Sequence, residues 1–163
     1  MMKKRDYNTD VLCRMQANLF ANYDSFVNCS PSVFIRRFMN SDLATRFDDY
    51  TVLLDISSNE TFIQELNEQY GVTNFGKPEP KLKEAMFWVG YLYRYWCFVY
   101  EIPSKKLIMY VHPKMLLDRY YVYHSMDLDY AIERICEEEK ILLKPNKTVE
   151  ELLEELMKLN EDN

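Results

Sequence analysis

Along most of this chain apolar residues return every three or four positions, the spacing that lays one stripe of a helix against a core. Leu12, Met15, Leu19, Phe20, Tyr23 and Phe26 form the first stripe, with Thr9 and Asp10 placed to cap it. Asn28, Cys29 and Ser30 interrupt the pattern. Ser30 before Pro31 is then a start signal, because proline at the first helical position gives up an N–H that no earlier carbonyl would accept. Phe34, Ile35, Phe38 and Met39 make one patch of the second helix, and Ser41 restarts a segment carrying Leu43, Ala44 and Phe47. Two short helices broken near Asn40 and one long bent helix satisfy this pattern equally. Ser57 and Glu60 have the spacing of a capping box, opening a helix with Phe62, Ile63, Leu66 and Tyr70 inside and Gly71 at its stop.

A loop of two glycines and two prolines, residues 71–81, comes next, and the pattern then changes. From Ala85 to Glu101 apolar and aromatic residues run almost unbroken, with Arg94 the only charge before Glu101. Period-two alternation in YLYRYW also fits a strand, but the length of the run favours a helix, surrounded on all sides, over residues 79–102. Pro103 ends it, because the residue before a proline avoids the helical conformation. Two short helices follow from Ser104 and Pro113, with Leu107, Ile108, Val111, Leu116, Leu117, Tyr120 and Tyr121 turned inward. Asp127 caps another through Leu128, Ala131, Ile132, Ile135 and Cys136, and Thr148 with Glu151 opens a last one with Leu152, Leu153, Leu156, Met157 and Leu159 on one stripe.

The expected fold is therefore all-α, a single helical domain of six to eight helices around the central aromatic helix. Residues 1–140 form the core domain, and residues 141–163 carry an acidic C-terminal helix that needs the core or a partner to dock on. Composition agrees, with 48% hydrophobic and 15% aromatic residues and only 3 Gly and 6 Pro in 163. The net charge of −6 is unevenly spread. From Glu137 onward nine acidic residues face four basic ones, while the first 136 residues hold 17 and 16. A nearly neutral body with an acidic end lacks the footprint of a protein that grips phosphates, which disfavours nucleic acid as the partner. Four scattered cysteines and no apolar run behind MMKKRDYNTD fit a reduced, cytoplasmic protein, and the aromatic run is too short and too tyrosine-rich for a membrane span.

Catalytic and metal signatures are missing from the pattern. His112 and His124 have no partners at diagnostic spacing, Cys97 lies inside the aromatic run, and no H-E-x-x-H, acidic calcium loop or C-x-x-C occurs. The expectation is no cofactor, no metal and no enzyme. Arg94 stands out, because an unpaired buried guanidinium is costly. It is expected to pair with Glu101 or Asp118 and stack between tyrosines, or else to line a groove that takes an anionic ligand. Arg119, Tyr120, Tyr121, Tyr123 and His124 form, with Arg94, the expected partner-binding set, since tyrosine and arginine give large contact area with polar tips. Residues 30–50 and 103–121 also read as helix-turn-helix units whose Arg36, Arg37 and Arg46, or Lys105, Lys106 and Lys114, reach phosphates.

At SPSVFIRRFMNSDLATRFDD, at VGYLYRYWCFVYEIPSKKLIMYV and at YYVYHSMDLDYAIERI the chain resembles a poorly characterised group of short bacterial proteins encoded near toxin–antitoxin or mobile-element genes. The resemblance spans residues 10 to 136 and implies a non-enzymatic, antitoxin-like protein that neutralises or regulates a partner by occlusion. It transfers no catalytic residue and leaves the acidic tail outside. A phage-encoded inhibitor of a host defence enzyme and a helix-turn-helix regulator are the alternatives. The partner is accordingly a toxin or a defence enzyme, and a homodimer is compatible with the pattern.

Overall fold

A computed structural model describes residues 6–145 and 149–162. Among them there are nine α-helices, linked by short loops and three 3₁₀ turns, and no strand. Helix α1 spans Tyr7–Asn22 and begins one turn earlier than the sequence suggests: the cap is Asp6, whose carboxylate accepts the Thr9 N–H. Thr9 and Asp10 thus fall inside the helix, Thr9 buried and Asp10 in the first turn where a carboxylate suits the helix dipole. Helices α2 (Pro31–Met39) and α3 (Asp42–Asp48) are separate, which decides between the two readings of that stretch. Ser30 caps α2. Ser41 caps α3 through the Ala44 N–H while its hydroxyl donates back to the Phe38 carbonyl, so one side chain ends one helix and starts the next.

Helix α4 covers Asn59–Tyr70 and ends at Gly71 with φ 77°. Its cap is Ser58, bonded to the Thr61 N–H, rather than the Ser57–Glu60 box. The central helix α5 is Lys83–Tyr100, shorter than the expected 79–102, because Pro80–Leu82 form a 3₁₀ turn and Glu101 takes a left-handed conformation that ends it. Helices α6 (Ser104–Tyr110), α7 (Pro113–Tyr123) and α8 (Leu128–Glu138) follow, the last capped by Asp127 as expected. Helix α9 is Val149–Glu161; the Thr148 cap lies outside the described residues.

Every residue of α5 from Ala85 to Tyr100 is buried except Phe87 and Tyr91. It lies in the middle of the bundle, with α1 along one side and α6, α7 and α8 around the rest. The α1–α5 crossing is close because Gly90 has no side chain. A Cβ there would sit 2.9 Å from the Phe20 ring and 3.0 Å from both the Ala17 Cα and the Gln16 carbonyl. Phe20, Phe38, Phe47 and Phe62 continue the core as a chain of edge-to-face rings with centroids 5.2–5.8 Å apart, joining α1 to α4 through α2 and α3. The core runs slightly past residue 140, since Ile141 and Leu143 also pack on it. Helix α9 buries nothing: its apolar side chains, from Val149 to Leu159, are 47–72% exposed. Among the described residues no helix is long and apolar enough to cross a membrane.

Candidate functional site

The guanidinium of Arg94 is buried with a side-chain partner on each of its three nitrogens. It is 3% exposed, and three helices supply its partners. Nε donates to Gln16 Oε1 of α1 at 2.7 Å, Nη1 pairs with Asp48 at the end of α3, and Nη2 donates to Ser104 Oγ at the start of α6 at 2.8 Å. Asp48 in turn accepts the Ser104 hydroxyl at 2.7 Å and the Ser104 N–H at 3.0 Å. The expected partners Glu101 and Asp118 are replaced by Asp48, and the stacked tyrosines by the ring of Phe47, 5.4 Å from the guanidinium carbon. The reason is topological, since α3 returns its C-terminus to the middle of α5. Burial of both charges is compensated by these shared donors and acceptors.

A cleft of about 330 Å³ opens above the pair, between Tyr50, Asp48, Phe98, Glu101 and Ile102. Arg94 and Asp48 within it are already engaged with each other, and Cys97 on its wall is a poor nucleophile, its thiol pushed up to about 12 by burial. Neither histidine reaches it. His112 is exposed at the N-cap of α7 and His124 follows the end of that helix, so the cleft does not collect an acid, a base and Arg94. Among the described residues no three acidic, histidine or cysteine side chains converge as metal ligands.

A second concavity, more open and more apolar, lies where the first two turns of α5 meet the end of α7 and the loop before α8. It encloses about 480 Å³, and its walls are Phe87, Trp88, Tyr91, Tyr120, His124 and Met126, with Glu84 at one end. Tyr120 is its keystone. Its ring stacks on His124 at 4.4 Å and meets Trp88 edge-on at 6.0 Å, and its hydroxyl reaches Glu84 at 3.4 Å. Burial, then Glu84, raise the Tyr120 pKa, so the hydroxyl stays a donor to that carboxylate. The neighbouring tyrosines are tethered alike, Tyr91 to Asp10 and Tyr95 to Asp129 at 2.6 Å. Glu84 is therefore the acidic group among the lining residues of an otherwise largely aromatic floor, while Asp10, itself paired with Arg14, and Asp129 hold their tyrosines from outside that lining.

The residues expected to bind a partner divide accordingly. Tyr120 and His124 line this groove, and Tyr121, 81% exposed, packs on Tyr120 at 5.4 Å. Arg119 stands on the same helix but is bound to Glu138 and Glu139. Tyr123 is 3% exposed with its hydroxyl on Glu138, and Arg94, also 3% exposed, lines the first cleft with its guanidinium already bonded, so both lie away from the groove. Phe87, Trp88, Tyr91 and Met126 were not in the expected set. Their signal was present as Glu84, Phe87, Trp88 and Tyr91 at three- and four-residue spacing, but the surrounding run is so uniformly apolar that this stripe did not stand out.

The two candidate helix-turn-helix units are real helix pairs with different surfaces. In the first, Arg46 Nη2 donates to both carboxylate oxygens of Glu65 at 2.9 and 3.1 Å, Arg37 donates to the Gly71 carbonyl, and α3 buries Leu43, Ala44 and Phe47. In the second, Lys105, Lys106 and Lys114 are exposed. No family model, no curated protein and no solved structure matches this chain.

Proposed function

We propose that this is a protein-binding module that works by occluding its partner, with the groove between α5 and α7 as the anchor site. The observation that carries this reading is an open aromatic floor, Phe87, Trp88, Tyr91 and Tyr120, with the carboxylate of Glu84 at one end. Aromatic side chains in a concave, largely dehydrated setting are the usual anchors of binding energy, and Glu84 at the end of the groove selects against an acidic group there. The fitting partner carries an apolar or aromatic anchor flanked by lysine or arginine. A toxin whose working surface binds nucleic acid has that character, so the antitoxin-like role suggested by the sequence is the form we favour; a defence enzyme with a basic active cleft is the same chemistry with a different target.

The test is co-expression with each product of the flanking genes, followed by titration of the purified pair. Trp88 lies in the groove and Trp96 in the core, so a Trp96→Phe variant lets indole fluorescence report the groove alone. A stable complex is expected, with Phe87→Ala and Tyr121→Ala each weakening it by roughly tenfold or more while the melting temperature stays within a degree or two. Absence of a complex with every flanking product, or unchanged affinity in both variants, overturns the proposal.

A further inference from the structure

Helix α9 is built as if one of its faces belonged against something. On a helical projection Leu159, Leu152, Leu156, Val149, Leu153 and Met157 occupy one continuous side, Glu150, Glu161 and Glu154 follow along one edge of it, and Lys158 lies opposite. All of the apolar set is exposed, yet a helix of 13 residues is marginal in water by itself. A cover for this stripe must be apolar at its centre and basic at its edges, because residues 149–162 carry Glu150, Glu151, Glu154, Glu155, Glu161 and Asp162 against Lys158 alone.

The chain itself displays such a surface. Helix α6 turns Ser104, Leu107 and Ile108 inward and leaves Lys105, Lys106, Met109 and Tyr110 on a contiguous outer face, Met109 among the most exposed apolar residues of the body. Lys114 extends the positive charge onto the first turn of α7. With α9 formed, its own α6 face is left open. We infer that α9 of one copy docks on the α6 face of a second copy, its leucines over Met109 and Tyr110 and its glutamates against Lys105, Lys106 and Lys114. Exchanged reciprocally, the two contacts close a two-fold dimer and together bury on the order of 1,200 Å², the lower end of what stable pairs use. This pairing does not involve the aromatic groove, so it stands or falls independently of the proposed function.

Sedimentation of the full chain at about 1–100 µM distinguishes the 19.7 kDa monomer from a pair of twice that mass. A dimer is expected whose dissociation constant rises at least about tenfold in 0.5 M salt, since the contact is largely between exposed charges. Lys105→Glu/Lys106→Glu and Glu150→Lys/Glu154→Lys each break the dimer alone, and mixing the two variants restores it, because both contacts in the mixed pair then join opposite charges. Phe87→Ala leaves it intact. A chain that stays monomeric throughout the range overturns the inference, whether α9 amides are then protected by docking on their own body or exchange freely while awaiting another protein. A dimer that survives both charge reversals, or variants that do not recombine, overturns it as well.

Discussion

Removing Asp48 tests the interior around Arg94 most directly. In Asp48→Ala the guanidinium keeps Gln16 and Ser104 as acceptors but loses its only ionic partner at 3% exposure. Ser104 also loses the carboxylate that accepts its N–H and its hydroxyl. A buried charge stripped of its partner costs about 3–5 kcal/mol, and the Ser104 N–H left unsatisfied keeps the expected loss in the upper half of that range. Asp48→Asn keeps one acceptor oxygen for Arg94 and the Ser104 hydroxyl but loses the charge and turns the other oxygen, which accepts the Ser104 N–H, into a donor, which should cost about 2 kcal/mol. Arg94→Met costs less than Asp48→Ala, because the remaining carboxylate is 14% exposed and still holds two Ser104 donors; about 2–3 kcal/mol is expected. In the double variant Asp48→Ala/Arg94→Met no charge is stranded, so the loss should fall short of the sum of the singles by about 2 kcal/mol. Urea unfolding followed by circular dichroism measures all four differences, with unchanged slopes showing that the unfolded states are comparable. The reasoning fails if Asp48→Ala costs less than about 1 kcal/mol, or if the double variant is additive.

Gly90→Ala gains about 1 kcal/mol of helix propensity but drives a methyl into the backbone of α1, 3.0 Å from the Ala17 Cα, so a net loss of about 1–2 kcal/mol and a melting temperature several degrees lower are expected; an unchanged or raised melting point would contradict the close crossing. Lys140 holds φ 53° where α8 ends and the Ile141 N–H returns to the Cys136 carbonyl at 2.9 Å. Lys140→Gly should therefore raise stability in urea by about 0.5–1 kcal/mol, the left-handed cost for a side chain exceeding the extra freedom glycine gives the unfolded chain. With Cys97 pushed up to about 12 and Cys13 and Cys29 buried, a disulfide reagent at pH 8 should modify only Cys136 of the native protein, slowly, and all four thiols in urea; rapid native reaction at Cys97, read by mass spectrometry, would refute the sealed cleft wall.

Helix starts were legible wherever one side chain governs the local geometry. Ser30 with Pro31, Ser41 and Asp127 each act on an N–H two or three residues away, and each lies where the sequence places it. Thr9 and Ser57 misled because Asp6 and Ser58 are equally good caps within three residues, and the choice rests on which register buries Thr9 or Phe62. The partner of Arg94 was beyond any local rule: Asp48 is 46 residues away and Gln16 is 78. Tyrosine hid the site in the same way. Tyr121 and Tyr123 are two residues apart on one helix, amphipathic in equal measure, and only the position of α8 sends one into solvent and the other onto Glu138.

The knot around Arg94 also sets a timetable for making the molecule. It draws on Gln16, Asp48, Arg94 and Ser104, so it cannot close until the chain has been synthesised to α6. At about 5–20 residues per second, that leaves α1 to α4 several seconds with no central helix to cover. During that interval the rings of Phe20, Phe34, Phe38, Phe47 and Phe62 have one another to gather on, as they do across α1 to α4 of the finished fold. A nascent chain interrupted before Ser104 would carry its aromatic axis and an incompletely bonded guanidinium together, the condition that chaperones and proteases read as unfinished.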